Sequence, residues 1–259
     1  MMDIETILSK YNIKPKKYMG QNFLIDESVL NKIVEAANLS PQDTVLEVGS
    51  GLGVLTAELT TKVKKVIAVE KDEKLCEILK DILKEFKNIE IINADILKMK
   101  TEKLPDYKIV ANIPYYLTSP LIKRFLEIPN RPKSMILMVQ KEVAQRICAS
   151  PPDMSILAIS VQFYAEPKII IYVSKNSFKP VPKVDSAIIK IIPHKIPGIN
   201  TKKFFDLVKR GFSAKRKILK NNLPELNLKK LGFNSKVRAE NLSIDDWLKI
   251  FTALNCVDK

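Results

Sequence analysis

The chain is poor in the residues that metal and acyl-transfer chemistry usually need. A single histidine, His194, stands among 259 residues, which excludes a histidine cluster and most histidine-ligated metals. The three cysteines, Cys76, Cys148 and Cys256, lie far apart with no CxxC pair, so neither a disulfide framework nor a cysteine zinc site is expected. No apolar run approaches the roughly 18 residues of a membrane span. Met1 to Lys17 lacks the apolar stretch and small-residue cleavage site of a secretory signal. The expectation is a metal-free protein of a reducing, cytoplasmic compartment, away from membranes. Hydrophobic residues at 46% and charged residues at 28% give the balance of a folded domain with a real core.

Charge is abundant and unevenly placed. The chain carries 43 basic and 29 acidic side chains, a net +14. From Pro193 to Lys259 there are 15 basic and 6 acidic residues, so about a quarter of the chain holds +9 of that excess. A segment of this kind attracts polyanions, with nucleic acid the leading candidate.

Helical and strand periods alternate through the middle of the chain. Asp26 to Leu39, Val54 to Thr61, Asp72 to Phe86 and Ser119 to Leu126 space their apolar residues as helices. Thr44–Val48, Lys65–Val69, Ile89–Ile92, Tyr107–Ala111 and Ser134–Val139 read as strands between them. This order predicts an α/β fold, a parallel sheet with helices on both faces. Ile156–Tyr164, Pro167–Val173 and Ala187–Ile192 read as further β-rich runs. Lys202–Phe212, Ala214–Asn222 and Ile244–Leu254 read as helices of a small C-terminal domain. Pro193, Pro197 and Gly198 place the boundary so that residues 1–195 form the larger domain and 196–259 the basic helical one.

After the first strand of that series comes Glu47-Val-Gly49-Ser-Gly51-Leu-Gly53. Glycines at a strand-to-helix turn let a ligand approach the backbone. Val54 breaks the dinucleotide fingerprint, and no Gly-Lys-Ser/Thr follows for a nucleotide triphosphate. Glu70 ends the second strand 19 residues after Gly51, where a carboxylate can accept both hydrogen bonds of a ribose diol. Asp95 follows the third strand and can accept a hydrogen bond from an adenine amino group. This layout resembles that of the class I S-adenosylmethionine (SAM) methyltransferases, with their Rossmann-like sheet.

At the end of the fourth strand stands Asn112-Ile113-Pro114-Tyr115, which resembles the pattern of amino-directed adenine and cytosine methyltransferases. The exocyclic amine of adenine is a poor nucleophile because its lone pair is delocalised. The Asn112 side-chain oxygen and a backbone carbonyl, that of Ile113 or Pro114, can accept its two N–H bonds and aim the lone pair at a methyl donor. Pro114 stiffens the turn, and Tyr115 offers a face for the base. The amine becomes strongly acidic as it is methylated, so a chain with one histidine can run the reaction.

Three further segments narrow the resemblance. Gly20-Gln21-Asn22-Phe23-Leu24-Ile25-Asp26, Phe178-Lys-Pro180-Val-Pro182-Lys-Val184-Asp-Ser186 and the basic run Lys215-Arg216-Lys217 to Asn221-Asn222-Leu223 are similar to motifs of the ribosomal RNA adenine dimethyltransferases. The five motifs run in family order from about Lys16 to Leu254. They are most similar to those of the branch acting on bacterial small-subunit (16S) RNA. The resemblance implies SAM-dependent N6-dimethylation of two adjacent adenines in the small ribosomal subunit, by a monomer. It implies that Asn22, Leu24 and Gly49 meet the methionine part of SAM, Glu70 the ribose and Asp95 the adenine. Asn112 then borders SAM and holds the target amine, while Phe178 stacks on the base opposite Tyr115. Lys215, Arg216, Lys217 and Lys220 are expected to grip RNA phosphates from one helix, with Arg216 and Lys220 on one face. Where the family has two adjacent arginines this chain has Lys215-Arg216, and lysine lacks the bidentate fork at a phosphate.

Two other readings share the fold. Macrolide-resistance methyltransferases modify a large-subunit adenine with a similar catalytic motif. The intact Glu70, Asp95, Asn112 and Tyr115 speak against a second alternative, a non-catalytic factor that only binds nucleic acid.

Overall fold

The computed structural model describes residues 4–101, 104–214 and 216–255. The elements, in chain order, are α1 (Ile4–Lys10), β1 (Phe23–Leu24), α2 (Glu27–Ala37), β2 (Thr44–Val48), α3 (Val54–Thr60), β3 (Lys65–Glu70), α4 (Glu73–Ile82), β4 (Ile89–Asn93) and β5 (Tyr107–Asn112). There follow α5 (Thr118–Glu127), β6 (Met135–Gln140), α6 (Lys141–Ile147), α7 (Ile156–Gln162), β7 (Ala165–Val173), β8 (Phe178–Lys179), β9 (Ser186–Pro193), α8 (Thr201–Gly211), α9 (Leu219–Asn222) and α10 (Ile244–Asn255).

Seven strands form one sheet in the order β4-β3-β2-β5-β6-β9-β7. β2 pairs in parallel with β3 and β5, with Val48 beside Val69 and Leu46 beside Ile109; β9 joins β6 antiparallel. The sheet is therefore mixed at one edge. Its central strands are buried on both faces, which is why they read as continuous Val/Ile/Leu runs. Val45, Val66, Val110 and Ile136 pack under α2, α3 and α4 through Leu30, Ile33, Leu59 and Leu75. Tyr107 points the other way, its ring meeting Phe125 of α5 edge-on at 6.3 Å. Two layers of helix thus cover the sheet. Each fully buried Leu or Ile contributes about 1.5–3 kcal/mol to folding.

The strand order reverses between β3-β2 and β5-β6, so the connections depart in opposite directions from the carboxyl ends of β2 and β5. That divergence opens a crevice at the strand ends, where ligands of open α/β sheets bind. Local signals place the elements around it. Asp26 caps α2, accepting from the Ser28 and Val29 amides at 3.0 and 3.3 Å. Gly53, at φ +80°, starts α3 where a Cβ would lie 2.7 Å from Leu79 Cδ2, so only glycine allows this close packing of the turn on α4.

The chain forms two compact units, and the division differs from a single cut at residue 195. One runs to Ala144 and resumes at Pro167–Pro193; the other joins Gln145–Glu166 to residues from His194 onward. Within the second unit Phe163 stacks on Phe204 at 4.8 Å, with Phe205 edge-on to Phe163 at 5.1 Å and Phe251 edge-on to Phe204 at 5.7 Å. Ring packing of this kind explains why 145–166 belongs with the C-terminal helices.

Two local expectations are corrected. Ile156–Gln162 is helix, not strand, followed by a turn at Phe163–Tyr164: Ser155 caps α7 by accepting from the Ala158 amide at 3.2 Å, and Ala158, Ile159 and Val161 turn inward. The helix expected over Ala214–Asn222 is only the four-residue α9, preceded by a turn in which the Lys217 amide bonds Ala214 O at 2.9 Å. Asn222 Nδ2 donates to Gly211 O at 2.6 Å, tying the end of α8 and ending the run.

Candidate active site

A cleft at the carboxyl ends of β2, β3 and β5 gathers Asn22, Leu24, Gly49, Glu70, Asp95, Asn112, Pro114, Tyr115 and Phe178 into its lining. Residues separated by more than 150 positions meet there because β1 and β8 pair, Leu24 lying opposite Phe178. Ser177 reinforces the junction, its hydroxyl donating to Asp26 Oδ2 at 2.9 Å and its carbonyl accepting from the Ile25 amide at 2.9 Å. The entry motif and the Phe178 loop are thus one structural unit.

Gly49 sits at φ +72°, and a Cβ there would come within 3.3 Å of Pro114 Cδ and 4.0 Å of Asn112 O. Its bare backbone lets the Asn-Ile-Pro-Tyr turn close over the glycine turn while leaving space between them. Glu70 Oε2 accepts from the Gly51 amide at 3.0 Å and Oε1 from the Asp72 amide at 2.9 Å. Burial raises its pKa despite those bonds. Each oxygen keeps a lone pair for a diol. Asp95 accepts from the Leu97 amide through Oδ1 at 3.0 Å and from Lys71 Nζ through Oδ2 at 3.0 Å; the Lys71 ammonium holds its carboxyl below the usual range. An open glycine cradle with two acids at neighbouring strand ends fits the nucleoside and methionine ends of SAM.

Asn112 ends β5, and its Nδ2 donates to Asn22 O at 3.5 Å. The Pro114 carbonyl is taken by the Leu117 amide at 2.9 Å. Tyr115 is half-buried, its hydroxyl 2.7 Å from Ser186 Oγ, and burial raises the phenol pKa. Phe178 is only 1% exposed, so it forms the wall of the cleft more than an open stacking face.

Arg216, Lys217 and Lys220 do not line the cleft; they belong to the second unit, and Lys215 lies outside the described residues. The first two occupy a turn and Lys220 the short α9, so they do not share a helix face as expected. Among the described residues no cluster of potential metal ligands exists, and no helix is long and apolar enough to cross a membrane.

The structure adds residues that sequence reasoning missed. Glu47, 2% exposed within the all-buried β2, lines the cleft; Thr56 Oγ1 donates to it at 2.6 Å, and burial pushes its pKa up to about 7. A lone acid inside an apolar strand was the available signal. Gln21 donates to Asp72 Oδ2 at 3.0 Å, where Lys16 Nζ also binds at 2.7 Å, strapping the entry segment to the end of β3. Tyr116, 57% exposed, and Lys71 stand on the lining as well.

Known proteins bear out the motif reading. The family model described as ribosomal RNA adenine dimethylase matches residues 12–256. A ribosomal RNA small subunit methyltransferase A of Dehalococcoides mccartyi is 43% identical, covering 96% of this chain and 92% of that protein. One from Clostridium botulinum is also 43% identical, over 96% and 97%. Among solved structures, a dimethyladenosine transferase from Plasmodium falciparum superposes with a TM-score of 0.79 at 30% identity, covering 90% of this chain and 98% of that one. The 23S rRNA methyltransferase ErmE gives the same TM-score at 28% identity, over 90% and 100%. With a match of that length, this chain belongs to the ribosomal RNA adenine dimethylase family.

Proposed function

We propose that this protein dimethylates N6 of two adjacent adenines in small-subunit (16S) ribosomal RNA, using SAM and no metal, as a cytoplasmic monomer. The observation that carries the reading is the position of Asn112, a strand-end amide lining the same cleft as the glycine turn, Glu70 and Asp95. SAM bound there supplies an electrophilic methyl group. The chain's own residues hold and orient the nucleophile. Asn112 Nδ2 is directed to Asn22, which leaves Oδ1 to accept one adenine N–H. The Pro114 carbonyl already serves Leu117, so the Ile113 carbonyl is the better acceptor for the second. Tyr115, anchored through Ser186, offers its ring to the base, and Phe178 backs the opposite wall. Glu70 and Asp95 take the ribose and adenine of SAM, with Asn22, Leu24 and Gly49 around its methionine part.

The small-subunit substrate draws support from the 43% identical relatives. Methylation of a large-subunit adenine is the second reading, favoured by the likeness to the 23S enzyme. Incubating purified protein and SAM with each unmodified subunit separates them. Mass spectrometry should find dimethyladenine in small-subunit RNA only; product in the large subunit alone would transfer the function there.

A further inference from the structure

Two acids that follow strands β3 and β4, Asp72 and Asp95, are each held by a lysine, and the two pairs differ in kind. Lys16 binds Asp72, whose side chain is 4% exposed and also receives Gln21, so that ion pair is locked. Lys71 binds Asp95 across the surface, the two side chains 58% and 24% exposed. An exposed pair of this sort contributes little and exchanges readily. Both Asp95 oxygens are engaged, Oδ1 by the Leu97 amide and Oδ2 by Lys71. The backbone bond is fixed by the turn after β4; the lysine is the replaceable donor. Its other neighbour is Tyr116, which is 57% exposed on the cleft lining.

We propose that Lys71 couples occupancy of the cofactor site to the grip on RNA. An adenine amino group donating to Asp95 Oδ2 competes with Lys71 for that oxygen, and the loosened ammonium turns beside Tyr116 to meet a phosphate of the RNA strand. Lysine suits this task, being a point charge on a flexible stem whose three donors need no fixed partner plane. No proton or covalent bond changes hands; one ion pair is exchanged for another. Lys71 is a positioning residue, and the inference rests on the proposed reading that SAM adenine sits at Asp95.

The test measures binding of unmethylated small subunits across a salt series, with and without saturating S-adenosylhomocysteine, for wild type, Lys71→Met and Lys71→Arg. In wild type the nucleoside should tighten subunit binding several-fold. It should also steepen the slope of log affinity against log salt by about 0.7–0.9, the contribution of one neutralised phosphate. Lys71→Met should bind S-adenosylhomocysteine at least as tightly as wild type yet show no steepening, and Lys71→Arg should restore it. Steepening that persists in Lys71→Met, or weaker S-adenosylhomocysteine binding by that variant, overturns the coupling. Wild-type protein that binds S-adenosylhomocysteine without any steepening overturns the Lys71 inference alone; wild type that binds none overturns the cofactor reading as well.

Discussion

The side-chain nitrogen of Asn112 reaches the backbone carbonyl of Asn22 at 3.5 Å, across 90 residues of sequence. This long hydrogen bond directs one Nδ2 hydrogen to Asn22 and leaves Oδ1 to accept. It joins the entry motif to the catalytic motif through the group that must be oriented.

Asn112→Ala should therefore lose methyl transfer while keeping its fold. An acceptor whose value grows as charge develops on the amine is worth about 2.7–4 kcal/mol of barrier, or 10²–10³ in rate. Single-turnover transfer to small subunits, with subunit affinity measured in parallel, tests this. A variant within tenfold of wild type would remove Asn112 from the centre of the chemistry.

Glu47 sets a pH dependence of stability. Its pKa stands at about 7 in the fold against 4.5 for the free side chain, the cause being burial. Between those values the folded state binds the proton that the unfolded state has released, so stability falls as pH rises through that window. The stability at stake is roughly 3 kcal/mol. Glu47→Gln keeps an acceptor for Thr56 and cannot ionise. Urea unfolding at pH 5 and pH 8 should show the variant gaining on wild type at the higher pH; parallel curves would mean that Glu47 stays charged in the fold.

The second unit has a steric test. A Cβ at Gly211 would lie 2.2 Å from Cη2 of Trp247, a fully buried ring. Gly211→Ala should destabilise by about 1–3 kcal/mol, the usual cost of overpacking. S-adenosylhomocysteine affinity should be unchanged in the folded variant, since the cleft residues belong to the other unit. Calorimetric unfolding and binding isotherms on the same sample check both halves.

Much of this architecture is legible in the sequence, for identifiable reasons. The central strands β2, β3 and β5 declare themselves because parallel strands buried on both faces are mostly apolar. Glu70 and Asn112 can be placed because they end such strands, and Asp95 because it stands two residues beyond the edge strand β4. Ile156–Gln162 misleads because a short apolar stretch rich in isoleucine and valine fits either period, and the Ser155 cap decides it. Lys71 and Gln21 escape notice because their roles depend on partners 24 and 51 residues away, set by strand order and not by local pattern. The extra unit boundary escapes for the same reason, resting on rings of Phe163, Phe204 and Phe205 brought together from distant segments.

The basic cluster yields the last prediction. Arg216 and Lys217 stand in a turn and Lys220 on the four-residue helix after it, held in place by Asn222 bonded to Gly211 O at 2.6 Å. A turn splays neighbouring side chains more widely than one helix face does, so the three cations can meet successive phosphates and need not converge on one. The segment from Pro193 to Lys259 carries 15 basic against 6 acidic residues, too few acids to neutralise it. Phosphate contacts position without specifying, so base choice should stay with Asn112, Tyr115 and Phe178. The Arg216/Lys217/Lys220→Ala variant should bind small subunits more weakly and flatten the salt slope by about 0.7–0.9 for each phosphate it no longer neutralises. Its S-adenosylhomocysteine affinity should match wild type, and the modified adenines should be the same ones. Equal affinity and slope in variant and wild type would make the cluster a solvated surface and move the RNA grip to other basic residues of the chain.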